Sequence, residues 1–327
     1  MSIQVSVVVP TYQRPEMLER CLAALLAQEF DPAAYEVIVA DDAACEQTRQ
    51  LVVGAAQAYP SGCPRPCVRY IALAGAHGPA AARNAGWRAA RGPIIAFTDD
   101  DCIPDPNWLA AGLAALAGGQ AAASGRIIVP LAARPTDYEQ NVAWLEHAEF
   151  ATANCLCRRD ALAAIGGFDD RFTAAWREDS DLHFALLERN ERIVRAPAAI
   201  VIHPVRPGRW GVSLAQQRKS MFNALLYKKH PALYRQRIQA WPPWQYYGIV
   251  GALLAALAGA LARRPRLGWV GLSIWLLLSG RFCLRRLRHT SRAPWHVGEM
   301  LVTSALIPPL ALFWRIRGAL AFRVFFL

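Results

Sequence analysis

The chain has 327 residues, 54% of them hydrophobic, and carries a formal net charge of +11. That apolar share is high for a purely soluble protein, and the length leaves room for one large domain or two modest ones. The charge is divided: residues 1–202 hold 17 Lys/Arg against 24 Asp/Glu, whereas residues 203–327 hold 19 Lys/Arg against one acid, Glu299. In the basic part the charges flank apolar runs bordered by Trp and Tyr, a pattern that points to a membrane with anionic headgroups rather than to DNA or RNA.

The N-terminal stretch MSIQVSVVVPTYQRP lacks a basic start and its apolar run is brief, so no secretory signal is expected. Val5 to Val9 is a β-branched run that reads as a strand, and Arg14 to Ala27 has helical apolar spacing through Met17, Cys21, Leu22 and Leu25. YEVIVA (35–40), VRYIAL (68–73) and PIIAFT (93–98) read as the next strands; GPAAARNAGWRAARG, before the last of them, is a helix with Pro79 inside its start and Gly92 at its close. After SGRIIVP the pattern loosens until NCLCRRDALAAIGGFDDRF, then REDSDLHFALLERN is a helix with acids in its first turn and RIVRAPAAIVIHPV is extended. Strands alternating with helices imply an α/β sheet with a site at the strands' carboxyl ends.

The expected organisation is a catalytic domain over 1–208, a basic amphipathic connecting helix within 209–240, and membrane-associated helices over 241–327. The run Gln245–Ala262 is about long enough to span a bilayer, while Leu267–Gly280 and Met300–Trp314 look short, to cross with thinning or to lie re-entrant or interfacial. Glu299 and the Pro308–Pro309 pair make the last segment the least regular. If the first segment spans from the cytoplasm, Arg263, Arg264 and Arg266 face outward against the positive-inside tendency; a re-entrant pair keeps them inside with Arg281, Arg285, Arg286, Arg288 and Arg292. The eight cysteines are scattered; Cys63 and Cys67 have no second pair to complete a zinc site, Cys155 and Cys157 lie in a strand, and buried thiols in a reducing compartment are expected.

The chemistry is concentrated in three acidic clusters. Asp99, Asp100 and Asp101 follow an apolar strand, where neighbouring carboxylates repel and are costly to desolvate without a partner. In extended chain Asp99 and Asp101 converge and Asp100 faces away, which suits a hard divalent cation, Mg²⁺ or Mn²⁺, with positions left for phosphate oxygens. An EF-hand is excluded, because Pro104 and Ala110 stand where it needs Gly and Glu. Asp41 and Asp42 end the second strand and are able to accept hydrogen bonds from a base or ribose, or to shape a turn. Glu178, Asp179 and Asp181 open a helix, where the dipole favours the ionised form that a general base requires; only one of Asp179 and Asp181 can aim into a site. No G-x-G-x-x-G after a strand, P-loop, G-x-S-x-G or H-E-x-x-H pattern occurs.

VSVVVPTYQRPEMLERCLAALLAQ, YEVIVADD, GPAAARNAG, FTDDDCIPDPNWL and GGFDDRF…WREDSDL, in that order, resemble a family 2 glycosyltransferase of the GT-A fold over roughly residues 3–205. The resemblance implies a Rossmann-like mixed α/β sheet and an inverting transfer from a nucleotide-diphosphate sugar. It implies nucleotide-sugar contacts for Pro10, Thr11, Tyr12, Arg14, Asp42 (or Asp41), Arg83, Asn84, Asp99 and Asp100, with a structural role as the alternative for Arg83 and Asn84. It gives the Mg²⁺ or Mn²⁺ to Asp101 with Asp99, and to His203 as a third ligand unless that residue is a core histidine. Asp179 matches the base of the family's ED motif; Glu178 falls on the acceptor side, and Trp176 either packs on an acceptor sugar or anchors its loop.

Two departures qualify the match. DDAACEQT replaces the common DDGS, so the turn after the second strand is expected to differ, and LAQQRKSMF lacks the tryptophan of the Q-x-x-R-W signature of processive synthases, which favours single-sugar transfer. The expected enzyme sits on the inner, cytoplasmic membrane face with its catalytic domain in the cytoplasm, and acts on a lipid-linked or envelope glycan acceptor. Polyprenyl phosphate is the rival acceptor. A non-catalytic nucleotide-sugar-binding scaffold would be marked by loss of the metal or base carboxylates, and both are present.

Overall fold

A computed structural model describes residues 2–57 and 66–326. The chain divides into two compact units, Met1–Pro130 with Trp144–Val205, and Leu131–Ala143 with Arg206–Leu327.

The first unit is built on one mixed sheet. Its elements in chain order are β1 (Val5–Thr11), α1 (Pro15–Leu26), β2 (Tyr35–Asp41), α2 (Glu46–Gln57), β3 (Cys67–Ala72), α3 (Pro79–Ala89), β4 (Ile94–Phe97), β5 (Ile103–Pro104), α4 (Trp108–Leu116) and β6 (Ala122–Ile128). After α5 (Asp137–Ala143), which belongs to the second unit, β7 (Cys155–Arg158), α6 (Arg159–Ile165), α7 (Glu178–Glu188) and β8 (Ile193–Ile202) complete it. The strand order is β3-β2-β1-β4-β7-β6-β8-β5. β3, β2, β1 and β4 run parallel, β7 is antiparallel to both its neighbours, and β6 pairs parallel with β8.

The central strands are buried on both faces, so Val7, Val8 and Val9 on β1 and Val37, Ile38 and Val39 on β2 read as unbroken apolar runs rather than as an alternation. Helix α3 lies close on β1 because Gly86 faces Val8, where an added Cβ would come within 2.3 Å of Val8 Cγ1. At the amino ends of the strands a buried polar knot closes the sheet: Glu36 accepts from Ser6 Oγ (2.7 Å), Arg91 N (2.7 Å) and Arg69 NH1 (3.1 Å). At the carboxyl ends, β1 leads on one side to β2 and on the other to β4, a switch of strand order of the kind at which α/β sheets bind their ligands.

The second unit contains α5, α8 (Val212–Gln216), α9 (Phe222–Lys229), α10 (Pro231–Arg237) and the three long helices α11 (Trp244–Leu261), α12 (Pro265–Arg286) and α13 (Pro294–Ala321). The stretch expected as one basic amphipathic helix is helical over 212–229 but tightens to a 3₁₀ turn at Gln217–Met221, and Pro231 opens a separate helix because it can begin but not continue one.

The last two apolar segments are longer than expected: α12 has 22 residues and α13 has 28, and with α11 at 18 all three are long and apolar enough to cross a membrane. α13 also runs unbroken through Pro308 and Pro309. Their extra length comes from ends that carry charge in a satisfied form. Arg286 on α12 pairs with Asp137 on α5 (2.7 Å) and donates to Thr303 Oγ1 (2.7 Å) on α13, while Glu299 accepts from Gly211 N (2.8 Å). Cys63 lies outside the described residues; Cys67 is exposed, Cys155 and Cys157 are buried, and the cysteines among the described residues are free thiols.

Candidate active site

The site is assembled from the ends of β1, β2 and β4, the start of α3, the start of α7 and the end of β8, all within the first unit. β1 ends at Thr11, whose hydroxyl donates to Asp100 Oδ2 at 2.7 Å, and Arg14 in the following loop pairs with Asp100 (3.2 Å) and Asp101 (3.7 Å). Pro10 precedes it inside the strand and Tyr12 stands exposed at its tip. Asp100 is buried; burial pushes its pKa up to about 6, with Arg14 and the Thr11 hydroxyl pulling down and Asp101 and Asp99 adding to the rise.

This arrangement corrects the alternation expected for the aspartate triplet. β4 ends at Phe97 and the three aspartates lie in a turn, so Asp100 points at Thr11 and Arg14 while Asp99 and Asp101 go different ways. Asp99 turns toward α3 and accepts from Arg83 at 2.7 Å; Asp101 turns toward β8, with Oδ1 3.5 Å from His203 Nε2.

Arg83 is the link between the strand-end acids and the acids of α7. Buried at 3% exposure, it reaches Asp99 through one nitrogen and Glu178 Oε1 through another (3.1 Å). Burial opposes its charge, yet Asp99 and Glu178 hold its pKa above the ordinary guanidinium value. Asp99 stays below the usual carboxylate range despite burial, chiefly because of Arg83. Glu178 behaves differently: burial pushes its pKa up to about 7, Arg83 pulls it down, Asp179 raises it further, and its Oε2 is buried without a hydrogen-bond partner among the described residues.

Arg177 adopts a left-handed φ of 77° immediately before α7, and the turn sets Glu178 inward and leaves Asp179 half-buried. Asp179 accepts from Ser180 N at 2.6 Å, the bond that a helix N-terminus offers a carboxylate, and burial raises its pKa against that pull. Trp176 is 41% exposed beneath the Arg177 guanidinium, 4.7 Å from its ring centroid.

The turn after β2 is shaped by Asp41, whose buried carboxylate accepts from Ala43 N (2.9 Å), Cys45 N (2.8 Å) and the Tyr70 hydroxyl (2.9 Å). Asp42 instead faces the loop before α3 and contacts His77 Nδ1 (2.7 Å) and Gly78 N (2.9 Å). Gly78 has φ 107° and an added Cβ would meet the Thr173 backbone at 2.9 Å, so this approach admits only glycine. Asn84 fastens α3 to the loop at 168–170: it donates to Phe168 O (2.8 Å) and Asp170 (2.7 Å) and accepts from Trp87 Nε1 (2.8 Å) and Phe168 N (3.0 Å).

Ligand atoms of Asp101, Cys102 and His203 lie within 4.8 Å of one another. Burial, with Asp99 and Asp101 nearby, pushes the Cys102 thiol well above its usual pKa, and a hard divalent ion takes the carboxylate and the imidazole in preference to sulfur. His203 Nδ1 is buried with no hydrogen-bond partner among the described residues. An oxygen and nitrogen donor set with open positions fits Mg²⁺ or Mn²⁺. Asp99 stands outside this cluster. Cys102 was not singled out in the sequence; it comes beside His203 because Ile103 pairs with Ile202 across β5 and β8, a two-residue register that no local pattern announces.

The family model described as Glycosyl transferase family 2 matches residues 6–168, and that described as Glycosyl transferase family group 2 matches residues 94–316. Glycosyltransferase AglE of Haloferax volcanii is 25% identical over 62% of this chain and 67% of its own length. Succinoglycan biosynthesis protein ExoM of Rhizobium meliloti is 30% identical over 68% of this chain and 73% of its own. Matches to several other curated relatives span only 24% to 27% of those proteins. Among solved structures, the mannosyltransferase PcManGT from Pyrobaculum calidifontis, in complex with GDP-Man and Mn²⁺, aligns with a TM-score of 0.63 at 21% identity, covering 97% of this chain and 88% of that one. The likeness shows the fold, the nucleotide-diphospho-sugar transferase arrangement of a mixed sheet flanked by helices.

Proposed function

This chain belongs to the family 2 glycosyltransferases, and from that premise we propose that it moves one sugar from a nucleotide-diphosphate donor to a hydroxyl of a membrane-proximal, lipid-linked or envelope glycan acceptor, with inversion at the anomeric carbon. The observation that carries this reading is the Arg83 bridge, which ties the strand-end acids of a nucleotide crevice to the acidic start of α7 in one buried network. The donor's base and ribose lie against Pro10, Thr11, Tyr12 and Asp42, with Arg14 and the Asp99–Asp101 turn at the diphosphate. Asp41 and Asn84 act by holding the loops on either side.

Asp101 and His203 are the residues that would hold a divalent ion, whose chemistry there is to neutralise charge on the departing nucleoside diphosphate. Mn²⁺ in the similarly folded mannosyltransferase supports that assignment. Asp179, half-buried and with its pKa raised by burial, takes the proton from the acceptor hydroxyl as that oxygen attacks the face opposite the leaving group. Trp176 offers an exposed ring on which an acceptor sugar packs, while Glu178, expected on the acceptor side, is buried against Arg83 and holds that bridge. The three long apolar helices support membrane association, and the use of nucleotide-activated sugars supports a cytoplasmic catalytic unit at the inner membrane.

The test is transfer from a panel of nucleotide sugars to three acceptors: a lipid-linked disaccharide, the free disaccharide, and polyprenyl phosphate. Glycosylation of the lipid-linked sugar hydroxyl is expected. A product formed on polyprenyl phosphate alone overturns the acceptor assignment, and retention of anomeric configuration overturns the inverting one.

A further inference from the structure

The second unit holds a cavity of about 460 Å³, walled in part by Gln217, Gln239, Trp244, Gln245, Arg285 and Arg315. It opens where α11 begins and α12 ends, with α13 supplying a third wall. Arg285 and Arg315 bring two positive charges to it, and no Asp or Glu stands among its described lining residues.

Arg315 is the more telling of the two. It is 7% exposed in the final third of an apolar helix, with its Cζ 3.7 Å from the Phe326 ring centroid and NH1 donating to Gln239 at 3.4 Å. An ionisable group inside a helix of this kind is costly; the Tyr234 and Tyr247 hydroxyls hydrogen-bond with this one, and such groups mark ligand sites and pathways. Arg285, by contrast, is exposed at the last turn of α12 and donates to Gln245. Side-chain amides of the three glutamines and the Trp244 indole add uncharged hydrogen-bonding groups around the two guanidinium ions.

We propose that this cavity binds the terminal phosphate of an anionic lipid, a phosphate monoester presented at the membrane surface. Two arginines and no acid match a dianion better than a singly charged diester, and the guanidinium fork suits phosphate oxygens. Aromatic and basic residues around it match a headgroup region. Trp241 and Trp244 are exposed at the start of α11, where aromatic residues mark the interface, and Arg218, Lys219, Lys228, Lys229, Arg235 and Arg237 crowd the helices that precede it. The same chemistry in free phosphate lacks a reason to be met between apolar helices. The inference rests on α11–α13 being membrane helices, and not on the identity of the donor or acceptor sugar.

The experiment is calorimetric titration of the full chain in dodecyl maltoside micelles, without nucleotide sugar, using dioctanoyl phosphatidic acid, dioctanoyl phosphatidylcholine and inorganic phosphate. Saturable binding of one phosphatidic acid per chain is expected, with phosphatidylcholine at least about tenfold weaker and Arg285→Gln and Arg315→Gln each losing about tenfold or more. Because Arg315 is buried and its variant is liable to unfold, the exposed Arg285→Gln decides, its helix content and thermal unfolding serving as the control. Equal affinity for the two lipids, or phosphatidic acid binding unchanged in Arg285→Gln, overturns the proposal. Inorganic phosphate binding as tightly as phosphatidic acid assigns the cavity to free phosphate and overturns the lipid. Since no sugar is transferred in this titration, failure here leaves the transferase reading intact.

Discussion

Replacing Arg83 by Met keeps much of the side-chain volume and removes the charge that joins Asp99 to Glu178. In the parent, one buried guanidinium serves two carboxylates at 2.7 and 3.1 Å. Removing one partner of a buried ion pair costs roughly 3–5 kcal/mol, because the remaining charge stays buried and uncompensated. The cost depends on pH. Asp99, held below the usual carboxylate range, is ionised throughout, so its pairing is lost at any pH near neutrality. Glu178 titrates near 7, so its attraction to Arg83 is present above that value and fades below it. Glu178's own raised pKa acts in the opposite sense: the native state binds the extra proton, so its burial lowers stability as pH rises from its unfolded value toward 7. Arg83→Met is therefore expected to cost more at pH 8, where both pairs are broken, than at pH 6, where Glu178 is already neutral. Thermal unfolding in detergent at one scan rate should show the variant about 6–20 °C lower at pH 8, taking roughly 2–4 °C per kcal/mol for a unit of this size, with a smaller gap at pH 6. A drop of the same size at both pH values, or none at either, refutes the bridge as described.

Glu36→Ala removes the acceptor of three donors at the amino ends of the strands and is expected to destabilise the first unit by about 3–5 kcal/mol, read by thermal unfolding, without changing the KM for the donor. Gly86→Ala drives a Cβ into Val8 and is expected to cost about 1–3 kcal/mol, most of it recovered when Val8→Ala is added; additive losses in that cycle argue against direct overpacking. For topology, cysteines introduced at 264 and 288 are labelled in intact cells: a first helix that spans predicts opposite sides, and matching protection at both positions contradicts it.

Much of the fold was legible because buried parallel strands and their helices carry strong local patterns, and the ordered acidic motifs carried the family. What escaped depends on contacts distant in the chain. The aspartate triplet reads as extended from its spacing, but β4 stops at Phe97 and the turn sends Asp99 to Arg83, Asp100 to Thr11 and Asp101 toward His203, with Arg14 shared by the last two. Arg83 meets Glu178 across 95 positions, and Asp137 meets Arg286 across 149, the pairing that places α5 with the second unit and lets α12 run to a charged end. The apolar runs 267–280 and 300–314 were too short a ruler for their helices, because the polar residues beyond them are satisfied by partners that a hydropathy window does not see.

The central claim is a division of labour, in which Asp101 would hold a divalent ion that neutralises the donor's diphosphate and Asp179 would remove the acceptor proton. It is tested most directly by measuring donor binding and turnover together in Asp101→Asn and Asp179→Asn, each with and without Mn²⁺. The account predicts that Asp101→Asn loses Mn²⁺-dependent donor binding, whereas Asp179→Asn binds donor as the parent does and turns over about 10²–10⁴-fold more slowly. Metal-independent turnover in the parent, or loss of donor binding in Asp179→Asn, would contradict it.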